Sequence, residues 1–208
     1  MRFAEVLNPD GTIYTENLRH ARATDTYICK GDGTETWQPL FTSHGFRYVE
    51  VTGLDKKPDP EMITGLVINT DTEVTGSFEC SHPMINQLYE NITWGQRSNF
   101  IDIPTDCPQR DERLGWTGDA QIFIRTATYN MDTAAFFTKW LQDLEDAQSP
   151  EGDFPDVAPR KCAMGGGTAA WADAGIICPW TVHHVYNDDR VVHEHYNAMK
   201  KWIEYCKK

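Results

Sequence analysis

The chain lacks the features that would place it in a membrane, at a metal centre or in a disulfide-stapled fold. No apolar run approaches the length that crosses a bilayer, which excludes a membrane-spanning helix. The opening stretch, Met1-Arg2-Phe3-Ala4-Glu5-Val6-Leu7-Asn8-Pro9, has no apolar core of signal-peptide length, so the sequence as given reads as soluble and cytoplasmic. Six cysteines (Cys29, Cys80, Cys107, Cys162, Cys178, Cys206) are scattered with no Cys-x-x-Cys pair, neither a zinc pattern nor a dense disulfide framework. His183-His184 and His193-Glu194-His195 lack the His-Glu-x-x-His spacing that puts two ligands on one helix face. They read as solvated helix histidines, and neither metal nor cofactor is expected. Positive charge is also scarce, with 19 Lys and Arg against 31 Asp and Glu and a net charge of −12. That balance repels phosphate and excludes nucleic acid as a partner, while a neutral sugar is indifferent to it.

What is present is enough for a core. Of the 208 residues 40% are hydrophobic and 12% aromatic, which suits one ordinary domain or two small ones rather than a disordered chain. The first seventy or so residues carry turn signals at Asn8-Pro9-Asp10-Gly11 and Lys30-Gly31-Asp32-Gly33. Between and after them lie short β-branched and aromatic segments: 26–29, 46–51 and 65–69. Such spacing predicts part of an antiparallel β-sandwich over residues 1–74. From Ser81 the period changes. Ser81 is expected to cap a helix with Pro83 in its first turn and an apolar stripe of Met84, Leu88 and Ile92 beside Ile85 and Tyr89. Further helices are expected over 120–130, from Asp132 with Phe136, Phe137, Trp140, Leu141 and Leu144 facing inward, over 169–186 and over 190–206. Residues 150–168 form a long Pro- and Gly-rich connection of the kind that builds binding walls. The fold class is thus mixed but mainly α, with a helical region over 75–208.

Chemistry concentrates in Asp106-Cys107-Pro108-Gln109-Arg110-Asp111-Glu112-Arg113-Leu114-Gly115-Trp116-Thr117-Gly118-Asp119, with four carboxylates besides two arginines and an indole ring in fourteen residues. Crowded carboxylates can be split into one that keeps its proton and others that do not. Glycoside hydrolysis needs that split, with a proton donor for the leaving oxygen and carboxylates that grip hydroxyls. The plain alternative is a solvated loop with surface ion pairs. Pro108, Gly115, Trp116 and Gly118 weigh against it, since such a loop needs neither rigid backbone points nor a large ring.

At this stretch the chain resembles the bacterial α-L-rhamnosidases of glycoside hydrolase family seventy-eight. Downstream, Gly152-Asp153-Phe154-Pro155-Asp156-Val157-Ala158-Pro159 and Trp171-Ala172-Asp173-Ala174 are similar to segments of the same enzymes. Upstream, 13–19 and 44–49 are similar to the β-domain before their catalytic barrel. The resemblance implies a partial (α/α)6 toroid after a β-sandwich portion, in which the periodicity supplies about five helices, roughly the first half of the barrel. It implies hydrolysis of terminal non-reducing α-L-rhamnose from rhamnose-containing glycosides or polysaccharides, with inversion. Glu112 falls on the family's proton donor, although an ion pair with a flanking Arg is from the residues alone an equal reading. Asp106, Arg110 and Asp119 match sugar-binding residues, Asp119 being equally placed to cap the following helix. Trp116 and Trp171 match aromatic walls, and Asp156 and Asp173 are weaker candidates for the subsite rim. Trp94, Trp140, Trp180 and Trp202 read as core. The family's general base lies in a Glu late in the barrel, which no segment here resembles, so the chain alone is expected to hydrolyse poorly. The competing readings are a non-catalytic rhamnose-binding module, a truncated inactive fragment, and a related (α/α) enzyme for another sugar or uronic acid. Half a toroid also leaves apolar helix faces uncovered, which implies association with itself or another chain.

Overall fold

The computed structural model describes residues 1–161 and 165–208, and the chain divides into two compact units. One comprises Met1–Ile68 together with Cys107–Arg113; the other comprises Asn69–Asp106 together with Leu114–Lys208. Residues 162–164, Cys162 among them, lie outside the described residues.

The N-terminal unit is built on two short antiparallel ladders. Strand β1 (Arg2–Ala4) pairs with β4 (Tyr48–Glu50), and β2 (Val6–Leu7) with β3 (Ile13–Tyr14). The β2–β3 turn follows from its residues. Asn8 accepts the Gly11 N–H through its carbonyl, and Asp10 accepts both the backbone N–H and the hydroxyl of Thr12. Gly11 takes φ +85°, which glycine adopts without penalty. Phe3 stacks on the His44 ring at 4.1 Å, and His44 Nε2 lies 3.1 Å from both carboxylate oxygens of Asp25.

Two expected strands are corrected. Residues 26–29 and 65–69 have strand composition but no ladder, because no neighbouring backbone in this unit pairs with them. Their apolar side chains stay open to solvent, with Ile28 86% exposed and Leu66 65% exposed.

Five helices make up most of the second unit: α1 (Pro83–Asn99), α2 (Thr117–Asn130), α3 (Ala134–Asp146), α4 (Ala174–Tyr186) and α5 (Asp189–Cys206). A small hairpin of β5 (Phe100–Ile101) and β6 (Ile103–Pro104) follows α1. The core lies where α4 packs against α2, α3 and α5. There α3 buries Phe136, Phe137, Trp140, Leu141 and Leu144, as its spacing predicts, and α5 buries Val191, His195, Ala198 and Trp202. Phe100 stacks on Phe136 at 4.4 Å and meets Phe137 edge-on. The Trp140 indole donates to the Ala158 carbonyl at 3.0 Å, tying the long connection to the core. None of the described helices is long and apolar enough to cross a membrane.

Several local expectations are revised for identifiable reasons. His82, not Ser81, is the N-cap of α1 and its side chain makes no capping bond; the Asn86 side chain instead ties down the preceding chain by exchanging two hydrogen bonds with the Cys80 backbone. Helix α1 turns Thr93 and Gln96 inward, because Gln96 bonds Asn130 and the Ala127 carbonyl; Met84 and Leu88 are left 70% and 56% exposed. Helix α4 begins at Ala174 rather than near 169, since Ala170 takes the left-handed φ of +70° and breaks the helical path. His195 is buried, not solvated, with Nδ1 2.5 Å from Glu145 Oε2. A buried imidazole needs such a partner.

Candidate active site

The acidic stretch is shared between the two units, and each part is fixed by its own surroundings. In the N-terminal unit, residues 107–113 are held against the turn at Ser43 and Gly45. The Gly45 N–H donates to the Pro108 carbonyl at 3.1 Å. A side chain at Gly45 would meet Pro108 carbons at 2.9 Å, so only glycine permits this approach. Arg113, in the left-handed region at φ +51°, donates from Nη2 to the Ser43 carbonyl at 2.6 Å and to the Pro108 carbonyl at 3.0 Å. These bonds satisfy carbonyls that a loop would otherwise leave to water.

Glu112 stands on the loop so fixed. Its Oε2 accepts from Arg110 Nε at 3.2 Å and Nη2 at 2.7 Å, and from Arg19 Nη1 at 3.3 Å. The Glu112 and Arg110 side chains are 23% and 21% exposed, while Arg19 is 60% exposed. The ion-pair arrangement weighed for Glu112 is therefore the one this structure adopts, with an additional guanidinium from residue 19. Nothing in the local sequence pointed to Arg19, which lies 93 positions away.

The helical unit holds the other candidates. Asp106 accepts the Leu114 N–H through Oδ1 at 2.8 Å. Gly115 lies against the Ala158 carbonyl, with no room for a side chain, and Ala158 returns a backbone bond to the Gly115 carbonyl at 2.9 Å. Trp116 pairs in a single bridge with Val157 and its indole is half-buried.

Helix α2 begins at Thr117 because residues of the long connection receive its first donors. The Thr117 N–H reaches the Asp156 carbonyl at 2.9 Å, and its hydroxyl reaches the carbonyls of Pro155 and Asp156. Asp119 therefore lies in the first turn and does not cap it. It is exposed there, where the helix dipole favours a carboxylate.

Trp171 is placed on α2. Its indole lies on Gly118, where an added Cβ would stand 2.9 Å from the ring atoms, and it remains 37% exposed. Of the rim candidates, Asp156 accepts the Thr168 hydroxyl at 2.7 Å through Oδ2. Asp173 accepts the Ala170 N–H through Oδ2 at 2.8 Å and the Trp202 indole N–H through Oδ1 at 3.1 Å. The unit thus brings Asp156 and Trp171 to the start of α2, where Trp116 and Asp119 stand, while Asp173 stands at the start of α4 and is bonded to α5. Arg110 and Glu112 stand on the 107–113 loop of the other unit.

Of the tryptophans expected in the core, Trp140 and Trp202 are buried. Trp94 and Trp180 are corrected: they are 48% and 56% exposed, each met by a side chain of its own helix, Arg97 and His183. Arg97 lies over the Trp94 ring at 5.1 Å. The five described cysteines are free thiols, and burial pushes that of Cys178 well above the usual thiol range, which makes it inert. Residues that sequence reasoning passed over are Arg19 and Gly45, and it gave Arg113 and Gly118 no partner: the carbonyls of Ser43 and Pro108 for the one, the Trp171 ring for the other. Only the glycines carried a signal, as points where backbone or ring must come close.

Residues 73–208 match the bacterial alpha-L-rhamnosidase 6 hairpin glycosidase domain, and residues 1–69 the bacterial alpha-L-rhamnosidase concanavalin-like domain. An alpha-L-rhamnosidase of Streptomyces avermitilis is 54% identical over 208 residues, covering 100% of this chain and 20% of that protein. One from Formosa agariphila is 47% identical over 205 residues, covering 98% of this chain and 22% of the relative. The crystal structure of the Streptomyces avermitilis enzyme complexed with L-rhamnose superimposes with a TM-score of 0.96 at 55% identity, over 98% of this chain and 20% of that one. The alpha-L-rhamnosidase of Dictyoglumus thermophilum does so with a TM-score of 0.96 at 46% identity, over 99% and 23%. The chain spans about a fifth of the length of these relatives.

Proposed function

The chain belongs to the bacterial α-L-rhamnosidase family, and from that premise we propose that it carries the acid side of a rhamnoside-cleaving site. Glu112 protonates the glycosidic oxygen of a terminal α-L-rhamnose. Asp106, Arg110 and Asp119 hold ring hydroxyls by charge-assisted hydrogen bonds, and Trp116 and Trp171 pack on the apolar face around the 6-methyl group. The resting Glu112–Arg110 pair opens when sugar enters: Arg110 turns its fork to the hydroxyls, and the Glu112 carboxylate, freed of the guanidinium, takes up a proton from water and then donates it to the leaving oxygen. Inversion requires a second carboxylate roughly 6.5–9.5 Å away, activating water on the opposite face of the ring. That base belongs to helices of the six-hairpin domain beyond those in this chain, so the 208 residues alone bind the sugar and turn it over poorly.

The observation that supports this reading best is the Asp106–Asp119 stretch, with its acid on a loop pinned by Arg113 and its indole wall seated on Gly118. The test joins the chain to the remaining helical part of the Streptomyces avermitilis relative and assays an aryl α-L-rhamnoside. The joined protein is expected to cleave it, and Glu112→Gln to lower kcat by about 10²–10⁴-fold. High turnover by the 208-residue chain unaided, or full activity of the Gln variant, overturns the assignment.

The arginine pairing of Glu112 favours one second reading, a module that grips L-rhamnose without cleaving it. Calorimetry with L-rhamnose on the chain and hydrolysis by the joined protein separate the two, because the module binds and never cleaves.

A further inference from the structure

We propose that Asp173 is a positioning residue that sets the indole of Trp171, and so the width of the sugar subsite, through hydrogen bonds made entirely within the protein. The inference rests on the reading of Trp171 as a wall of the rhamnose site. Asp173 uses both of its oxygens on neighbouring protein groups. Oδ2 takes the Ala170 N–H at 2.8 Å, and Oδ1 takes the Trp202 indole N–H at 3.1 Å.

The first bond holds Ala170 at φ +70°, a left-handed conformation that alanine resists and that needs an external anchor to persist. The second ties the turn to α5, whose Trp202 is only 4% exposed and stacks on Tyr205 at 5.5 Å. Trp171 lies between the two anchored positions. Its own N–H and that of Ala172 are taken by the Thr168 carbonyl, and its carbonyl is taken by the Ala174 N–H. The backbone direction at residue 171 is thereby determined, and the ring comes to rest flat on Gly118.

Gly118 is the other half of the device. Any side chain there would stand 2.9 Å from the indole and push the ring outward. Asp156 anchors the start of the same turn through the Thr168 hydroxyl at 2.7 Å. The turn is therefore pinned by two carboxylates, and Asp173 acts on the sugar only through the ring.

The experiment labels the 208-residue chain with 5-fluorotryptophan and identifies the Trp171 fluorine resonance by its absence in Trp171→Phe. In Asp173→Ala the Trp171 and Trp202 resonances are expected to shift while those of Trp94, Trp116 and Trp140 keep their places. The Kd for L-rhamnose by calorimetry should rise about fivefold to tenfold, the scale of a weakened aromatic contact. Asp173→Asn keeps one acceptor oxygen and should fall between wild type and Ala. Trp202→Phe removes the indole donor while keeping a buried aromatic ring against Tyr205 and the turn's own composition, and serves if the Ala variant fails to fold.

An unmoved Trp171 resonance in Asp173→Ala, or in Trp202→Phe if that variant serves, overturns the proposal. If the resonance moves while Trp171→Phe binds L-rhamnose as wild type does, the positioning role stands and the sugar reading of Trp171 falls.

Discussion

The two compact units hold themselves together by different means. Among the described residues, Phe3, Ala4 and Leu18 are the buried apolar side chains of the N-terminal unit, whereas the helical unit buries a continuous cluster from Phe100 to Trp202. The N-terminal unit relies instead on turn hydrogen bonds, the His44–Asp25 pair and the arginine bonds of its 107–113 loop. Burial of apolar area is the larger stabilising term per residue, and each net hydrogen bond contributes about 1 kcal/mol. The helical unit should therefore be the stiff member and the N-terminal unit the one that opens first. The proposed acid stands on the weaker unit and its aromatic wall on the stronger one.

Substitution can break that contrast. Trp140→Ala empties a fully buried site and leaves the Ala158 carbonyl without its donor. It should destabilise the helical unit by about 3–5 kcal/mol in urea unfolding followed by helical circular dichroism. A cost no greater than that of Phe3→Ala would show that the two units share one source of stability.

Glycine substitutions sharpen the same point. At Gly175 a new Cβ would stand 2.0 Å from the Phe154 ring, while at Gly65 in the N-terminal unit it meets nothing within 4 Å. Gly175→Ala should cost about 1–3 kcal/mol by overpacking, and Gly65→Ala should stay within about 0.5 kcal/mol of wild type, both read from the thermal midpoint.

Arg113→Ala removes two donors that pin the acid's loop. Cleavage after Glu112 by a glutamate-specific protease should accelerate about fivefold, the effect of losing roughly 1 kcal/mol of local stability. An unchanged rate would mean that Gly45 alone holds the loop.

The smallest expected effect lies at the start of α5. The Arg190 side chain and N–H bond the Asp188 carboxylate and hold its pKa below the ordinary 3.8. A depressed carboxylate stabilises the fold above its unfolded value and loses that contribution as pH falls through the folded one. Asp188→Asn should therefore melt slightly below wild type at neutral pH, with the difference vanishing under strong acid.

How much of this was legible beforehand depended on whether a feature is local. The inward stripe of α3 was readable, because a period of 3.6 with five large apolar residues leaves one way to turn the helix. The stripe on α1 obeyed the same rule and misled, since the face that turns inward is chosen by the Gln96–Asn130 hydrogen bond across helices. Trp94 and Trp180 failed likewise: being buried is a property of neighbours, and the described residues leave these two rings about half exposed. In the site, the acidic stretch announced itself by composition. The arginine that joins Glu112 from residue 19, and the bonds that occupy Asp173, did not, because partners so far apart in sequence leave no spacing to read.

By itself the sequence determined the family, the mainly helical class after a β portion, and the residue types able to grip and protonate a sugar, since these depend on local composition, periodicity and a contiguous motif. Only the tertiary structure decided that Glu112 rests between two guanidiniums, that Asp119 sits inside a helix turn rather than capping it, and that Gly118 receives the Trp171 ring. The reason is geometric: charge pairing and close approach act over a few ångströms, and distance along the chain says little about which groups the fold brings within that range.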